Sequence, residues 1–269
     1  MIINPYLVQP SNAYGTLTTA WIAATGETDL TILGALNTLE TDLTTYGLTS
    51  KMKALYPFVG GTAAKHKFNF MDARDLDAAF RLTFSGGWTH SSNGALPNGT
   101  NGYANSYFNP LTNGLTTASA HLSFYGRTGS TTSDGAEIGN YASGTQIGLV
   151  IQGKSGDNYN RYFYDFFKAT GIFSPSAPIG LISGSSIANT RRDLYINGIS
   201  YGPNTVTDTS TLNNFPLYIG AANIDNSSVS SYSNAQFALA SIGNGLTSAE
   251  MLNFYTAVQA FQTTLGRQV

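Results

Sequence analysis

Apolar positions recur at three- and four-residue steps near both ends of the chain, and at alternate positions between them. Towards the C-terminal end, Met251, Phe254, Tyr255, Val258, Phe261 and Leu265 form one helical stripe. Thr247 stands ahead of the stripe with Glu250 three residues on, the pattern in which each side chain accepts the other's backbone N–H. Gly266 is placed for a left-handed C-cap. At the other end, Ile32, Leu33, Leu36, Leu39, Leu43 and Tyr46 share a stripe over 28–46, with Thr28 the expected N-cap and Gly47 the expected C-cap. A shorter helix before it carries Leu17, Ala20, Trp21 and Ala24.

From Lys51 the period switches to two. Met52, Ala54, Tyr56 and Phe58 lie on one strand face, and Gly60-Gly61 closes the segment. Further strands are expected at 80–84, 102–108, 121–127, 148–152, 161–167, 179–183, 193–196, 217–219 and 236–242. Asn197-Gly198 between two short apolar runs is a two-residue hairpin signal, because both turn positions need positive φ. Asn-Gly also begins at 93, 98, 101, 113 and 244. Many short strands punctuated by Gly and Asn predict a mainly β jelly-roll sandwich over 51–269 with a C-terminal helix, preceded by a helical segment over 1–50 that either anchors the chain or packs on the sandwich. A chain of 269 residues with 42% apolar content is long enough to build that core.

Charge changes the picture of the surface. Charged residues make up only 10% of the chain, against about 25% in ordinary globular domains. Thr, Ser, Asn and Gly take their place. Net charge is −2, and scattered Lys and Arg leave no stripe for neutralising phosphates, so nucleic acid is not an expected partner. No apolar run approaches the ~18 residues that would span a bilayer, so no membrane is expected either. There are no cysteines, hence no disulfide, thiolate metal site or Cys nucleophile. The start lacks a signal-peptide pattern, and the expectation is synthesis in a cytoplasm without the usual export.

Catalytic signals are weak. Gly198-Ile199-Ser200-Tyr201-Gly202 has the G-x-S-x-G spacing, but it follows a hairpin turn, Pro203 follows it instead of a helix, and His66, His90 and His121 all precede it. Ser200 is therefore read as a strand residue. Retaining glycosidases need two carboxylates about 5–5.5 Å apart. Of the four glutamates, Glu27 and Glu40 lie in the helical part and Glu250 is the cap; Glu137 with Asp134 would face opposite sides of a strand. Asp72, Asp75 and Asp77 are interspersed with Arg74 and near Lys65 and Lys67, which predicts local ion pairs. The histidines look isolated, so no transition-metal site is expected. No cofactor is expected beyond a structural calcium that Asp134, Asp157-Asn158 or Asp225-Asn226 could help hold. Aromatics are abundant, with 16 Tyr, 15 Phe and 2 Trp. Most belong in the core. Trp88, Tyr103 and Tyr107 lie among amide-rich loops and are the candidate glycan-binding residues. The aromatic run at 161–167 suits burial between layers or a subunit contact.

Two resemblances follow from longer stretches. Arg191-Arg192-Asp193-Leu194-Tyr195-Ile196-Asn197-Gly198, Leu217-Tyr218-Ile219-Gly220-Ala221 and the close over 237–255 resemble the laminin-G/concanavalin A-like pattern. The segments 50–69, 72–80, 86–90 and 257–267 resemble structural proteins of tailed bacteriophages, crAss-like and related phages among them. The first resemblance implies the sandwich fold. The second implies a non-enzymatic virion protein, a capsid decoration, head fibre or tail component, whose partners would be other virion subunits. Homo-oligomerisation, trimeric in expectation, would cover strand edges. The alternatives are a glycan-binding lectin module for host or mucus recognition and, disfavoured by the missing carboxylate pair, a glycoside hydrolase.

Overall fold

Two β-sheets pack face to face, and a layer of helices covers the outer face of one of them. The computed structural model describes residues 14–132, 135–142, 149–152, 159–165, 170–174, 179–205 and 207–269, and between 149 and 174 it describes backbone strands only. In chain order the elements are α1 (Thr16–Thr25), α2 (Leu30–Thr45), β1 (Met52–Tyr56), α3 (Ala63–His66), β2 (Thr83–Ser85), β3 (Trp88–Ser91), β4 (Gly94–Pro97), β5 (Tyr103–Asn105), β6 (Ala120–Gly126) and β7 (Ala136–Tyr141). They continue with β8 (Leu149–Gln152), β9 (Tyr159–Asp165), β10 (Thr170–Ser174), β11 (Gly180–Ala188), β12 (Arg191–Ile196), β13 (Ile199–Asn204), β14 (Tyr218–Ile219), β15 (Ala222–Ile224), β16 (Ser228–Ser230), β17 (Phe237–Gly243) and α4 (Ser248–Thr264).

The first sheet runs β13-β12-β11-β6-β17-β4-β3, with β1 also paired to β17. The second runs β10-β9-β8-β7-β14-β5-β2, with β15 paired to β7 and β16. Alternation decides which core each residue joins. On β6, Ala120, Leu122 and Phe124 enter the core between the sheets, while Tyr125 faces the helices. On β17, Ala240 and Ile242 point between the sheets and Leu239 points to the helices. Both faces of β17 are covered, which is why Phe237-Ala238-Leu239-Ala240 reads as a continuous apolar run.

The helical layer shares one core with the first sheet. Trp21, Leu36, Leu39 and Leu43 pack with Phe254, Val258, Leu55 and Tyr195. Burying each such side chain is worth about 1.5–3 kcal/mol, so α1 and α2 are held by this shared core. Glu40 of α2 clasps the start of α1: its carboxylate accepts the Leu17 and Thr18 backbone N–H groups and the Thr18 hydroxyl. A carboxylate there satisfies amides that the helix itself leaves unpaired and suits the positive end of its dipole.

The capping box of α4 is present as expected, with Thr247 N donating to Glu250 at 2.8 Å and Glu250 N donating to Thr247 at 3.3 Å. Gly266 takes φ +64°. The Asn197-Gly198 hairpin joins β12 to β13, with both residues at positive φ.

Several sequence expectations need correction. Asp29, not Thr28, caps α2, its carboxylate accepting from Thr31 N and Ile32 N. The strand expected over 80–84 begins only at Thr83, because Phe80 sits at φ +60°. The strand expected over 102–108 ends at Asn105, and Tyr107 at φ +56° turns the chain away. The strand expected at 179–183 extends to Ala188. Strands β3, β4, β7, β10, β15 and β16 were not anticipated as strands. Of the aromatic run at 161–167, residues Phe166 and Phe167 lie outside the described residues.

Candidate functional site

One end of the second sheet turns three tyrosines outward. Ala104 and Ile219 occupy the inward positions of β5 and β14 and belong to the inter-sheet core, so Tyr103, Asn105 and Tyr218 take the outward ones. The register sets Tyr218 opposite Asn105, Asn105 opposite Thr83, and Tyr103 opposite Ser85. The Tyr103 and Tyr218 rings stack, with centroids 4.9 Å apart and planes 24° apart. Tyr107 joins them because its positive φ folds the chain back after β5. Its backbone N–H donates to Asn105 Oδ1 at 2.8 Å, and its hydroxyl is 2.9 Å from Thr83 Oγ1. All three rings are half-buried: each rests on the sheet and leaves an edge to solvent. Burial, with Tyr103 and Tyr107 beside it, raises the pKa of Tyr218, so its hydroxyl is a neutral donor and acceptor.

Thr83, Ser85 and Asn105, all polar and uncharged, share the face with the three tyrosines. The nearest charges along the chain are already paired. Arg81 binds Asp75 and Asp77, Lys67 binds Asp75, and Arg74 binds Asp72. This is the local ion-pair cluster that the sequence predicted.

Trp88 does not join the tyrosines. It belongs to β3 of the first sheet and points into the edge of the space between the sheets. Its indole N–H lies 3.2 Å from both the Ser85 and the Tyr103 carbonyl oxygens. Its ring stands edge-on to Phe84, and Gly220 leaves room beneath it, since a Cβ there would come within 3.1 Å of the ring. Trp88 thus braces β2 and β5 from behind. Sequence reasoning missed Tyr218, whose apolar neighbours Leu217 and Ile219 marked it as a strand residue without showing its partner.

The histidines are less isolated than their spacing suggests. His66 Nδ1 lies 2.9 Å from His90 Nδ1, so one ring must donate and the other accept. Both rings are packed among Phe58, Phe84 and Trp88. Burial lowers the pKa of His66 to about 3, with His90 and Arg267 adding to it, and lowers that of His90 as well. His121 is buried at the other side of the first sheet, between the Asn244 carbonyl and Ser241 Oγ, with its pKa lowered to about 4.

The other candidates are accounted for by structure. Ser200 lies on β13 opposite Tyr195, its hydroxyl 3.4 Å from Asp193. Glu137 is fully buried on β7, and Asp134 lies outside the described residues. Of the calcium candidates, Asp157 and Asn158 also lie outside them. Asp225 and Asn226 form the turn between β15 and β16 at φ +52° and +53°, a geometry that short amide and carboxylate side chains adopt readily. Among the described residues, no group of three His, Cys, Asp or Glu is placed to hold a metal ion. No described helix is long and apolar enough to cross a membrane.

No protein-family model matches the chain, and no curated sequence does. Solved structures match at the level of fold. The binding domain of botulinum neurotoxin serotype D is 10% identical with a TM-score of 0.51; the match covers 77% of this chain and 52% of the toxin chain. Domain 4 of a GH43 extracellular arabinanase from Geobacillus stearothermophilus, solved in complex with arabinotriose, is 18% identical with a TM-score of 0.46, over 76% of this chain and 98% of that one. The NanB sialidase from Streptococcus pneumoniae is 15% identical with a TM-score of 0.41, over 60% of this chain and 26% of the sialidase. The β-sandwich with jelly-roll character expected from the sequence is the observed fold class.

Proposed function

We propose that the chain is a non-catalytic carbohydrate-binding sandwich that holds a glycan against Tyr103, Tyr107 and Tyr218. The observation that carries this reading is the stacked, half-buried Tyr103–Tyr218 pair on a sheet face shared with Thr83, Ser85 and Asn105. A sugar ring has an apolar C–H face and a rim of hydroxyls. Tyrosine matches both, with an apolar body and a polar tip. The Tyr103 and Tyr218 hydroxyls make no hydrogen bond within the described residues, so they are available to the ligand, as are Ser85 and the Asn105 side-chain amide. The toxin neighbour is itself a binding domain, in keeping with a binding role.

Binding without cleavage is part of the proposal. Hydrolysis needs a carboxylate pair about 5–10 Å apart across the scissile bond. Glu137 is buried away from solvent, and Asp75 and Asp77 are committed to Arg81 and Lys67. The resemblance to tailed-phage structural proteins is the basis for setting this binding on a virion surface, with other virion subunits as partners and host or mucus glycans as targets.

A glycan array probed with the purified chain tests the reading, followed by a reducing-sugar assay on any polysaccharide bound. Binding with no sugar release is the expected result. Release of reducing sugar would overturn the non-catalytic reading, and silence on a broad array would overturn the binding one.

A further inference from the structure

On the opposite side of the first sheet from the tyrosines, a cavity of about 440 Å³ opens where the start of α2 meets the 59–65 loop, the β3–β4 turn and the end of α4. We propose that this cavity is a second binding site and that it takes a small neutral sugar. It goes beyond the tyrosine face, shares no residue with it, and does not depend on it.

The volume falls in the range of about 300–1,000 Å³ typical of small-molecule pockets, with room for a mono- or disaccharide. One wall is apolar, made by Ile32, Val59 and Leu265. The mouth is hydroxylic and acidic, with Thr31, Ser92 and Asp29 all exposed. The floor is the Lys65–Glu27 pair at 3.0 Å, with Glu27 only 8% exposed. Gly60 is required there, for two reasons. It takes φ +84°, and a Cβ on it would come within 2.5 Å of Lys65 Cδ and 2.9 Å of Glu27 Oε2.

Charge selects the ligand class. Lys65 is neutralised by Glu27, which also accepts the Thr28 and Asp29 backbone N–H groups. Asp29 is balanced by the amides and dipole at the start of α2. An anionic ligand would face two carboxylates, and a cationic one would face the Lys65 ammonium. A neutral polyol needs neither balance broken. Its hydroxyls can accept from the remaining Lys65 N–H groups and donate to the second Asp29 oxygen, while its C–H face lies on Ile32, Val59 and Leu265.

Saturation-transfer NMR at neutral pH with glucose, galactose, mannose, rhamnose, N-acetylglucosamine and the disaccharides of glucose and galactose tests this. The variants Ser92→Trp and Thr31→Trp place an indole in the mouth from two different elements, both at exposed positions that should fold. Thr41→Trp on the exposed face of α2 is the control, and Tyr218→Ala removes the other site. The expected result is a signal from at least one sugar, weakened about tenfold or more in both mouth variants and kept in Thr41→Trp and Tyr218→Ala. Glucuronate should bind less well than glucose. No signal from any sugar, or binding that survives both mouth variants, would overturn the proposal. Binding lost only in Tyr218→Ala would overturn it too, while leaving the tyrosine face standing; stronger binding of glucuronate would refute the neutral class.

Discussion

Arg267 is the sharpest test of how the helical layer is joined to the sandwich. Its side chain is 2% exposed and has no carboxylate partner. Instead Nε donates to Gln262 Oε1, Nη1 to the Phe58 carbonyl, and Nη2 to the carbonyls of Pro57 and Ala238, all within 3.1 Å. One guanidinium therefore ties α4, β17 and the chain leaving β1. Burial pulls its pKa down to about 9, so the charge is still present at neutral pH. Arg267→Met keeps much of the volume and removes every donor. Hydrogen bonds to a charged group are worth about 1.5–3 kcal/mol each, and each orphaned buried acceptor costs about 1–3 kcal/mol, against which stands the relief of desolvating a cation. The expected net loss is about 3–5 kcal/mol, the size of the largest single-site effects. At about 2–4 °C per kcal/mol for a chain of this length, Tm falls by roughly 10 °C. Urea unfolding followed by circular dichroism measures this. Arg267→Lys should recover little, because one ammonium cannot reach four acceptors spread across a planar fork. A loss below about 1 kcal/mol for Arg267→Met would refute the reasoning, since it would mean that the four acceptors re-pair without cost.

His66 and His121 are held neutral in the fold with pKa values near 3 and 4, so between there and pH 6.5 the unfolded chain binds more protons. Stability should be full above about pH 7 and fall by roughly 2 kcal/mol per histidine at pH 5; a flat urea midpoint between pH 7.5 and 5 would contradict it. Glu40→Ala should unlatch α1 at a cost of about 1–2 kcal/mol and speed amide exchange across Thr16–Thr25, with no change at α4 as the internal check. Thr247→Ala should cost about 1 kcal/mol through loss of the α4 cap, with glycan binding untouched.

Local signals in the sequence carried the parts of the fold that local physics decides. Thr247 and Glu250 are three residues apart, and their mutual capping needs nothing from the rest of the chain. Asn197-Gly198 closes a two-residue hairpin in which both residues take positive φ, a conformation these two residue types adopt at little cost. The β3–β4 hairpin turns at Ser92-Asn93, one residue ahead of the Asn93-Gly94 signal, and its strands, Trp-Thr-His-Ser and Gly-Ala-Leu-Pro, lack an alternating apolar pattern. Strand β7 was missed for a related reason: Glu137, Gly139 and Asn140 interrupt the apolar alternation, yet all are buried in the second sheet.

The binding face depends on pairings that no local pattern reveals. Tyr103 and Tyr107 stood out as aromatics among amides, and they do lie together with Asn105. Tyr218 reaches them only through the β5–β14 register, which aligns two strands far apart in sequence. Trp88 was misjudged in direction. An aromatic beside Gly86 and Gly87 looks exposed on a loop, but the strand alternation of β3 turns it between the sheets. His66 of α3 and His90 of β3 meet across 24 residues, a tertiary contact that no local spacing shows.

The most direct measurement of the central claim is a binding isotherm for the best glycan from the array, taken on the wild type, Tyr218→Ala and Tyr103→Ala. Each ring contributes about 0.5–1.5 kcal/mol by stacking, so each variant should bind up to about tenfold more weakly while keeping the wild-type Tm within a few degrees. Unchanged affinity in both folded variants would contradict the account.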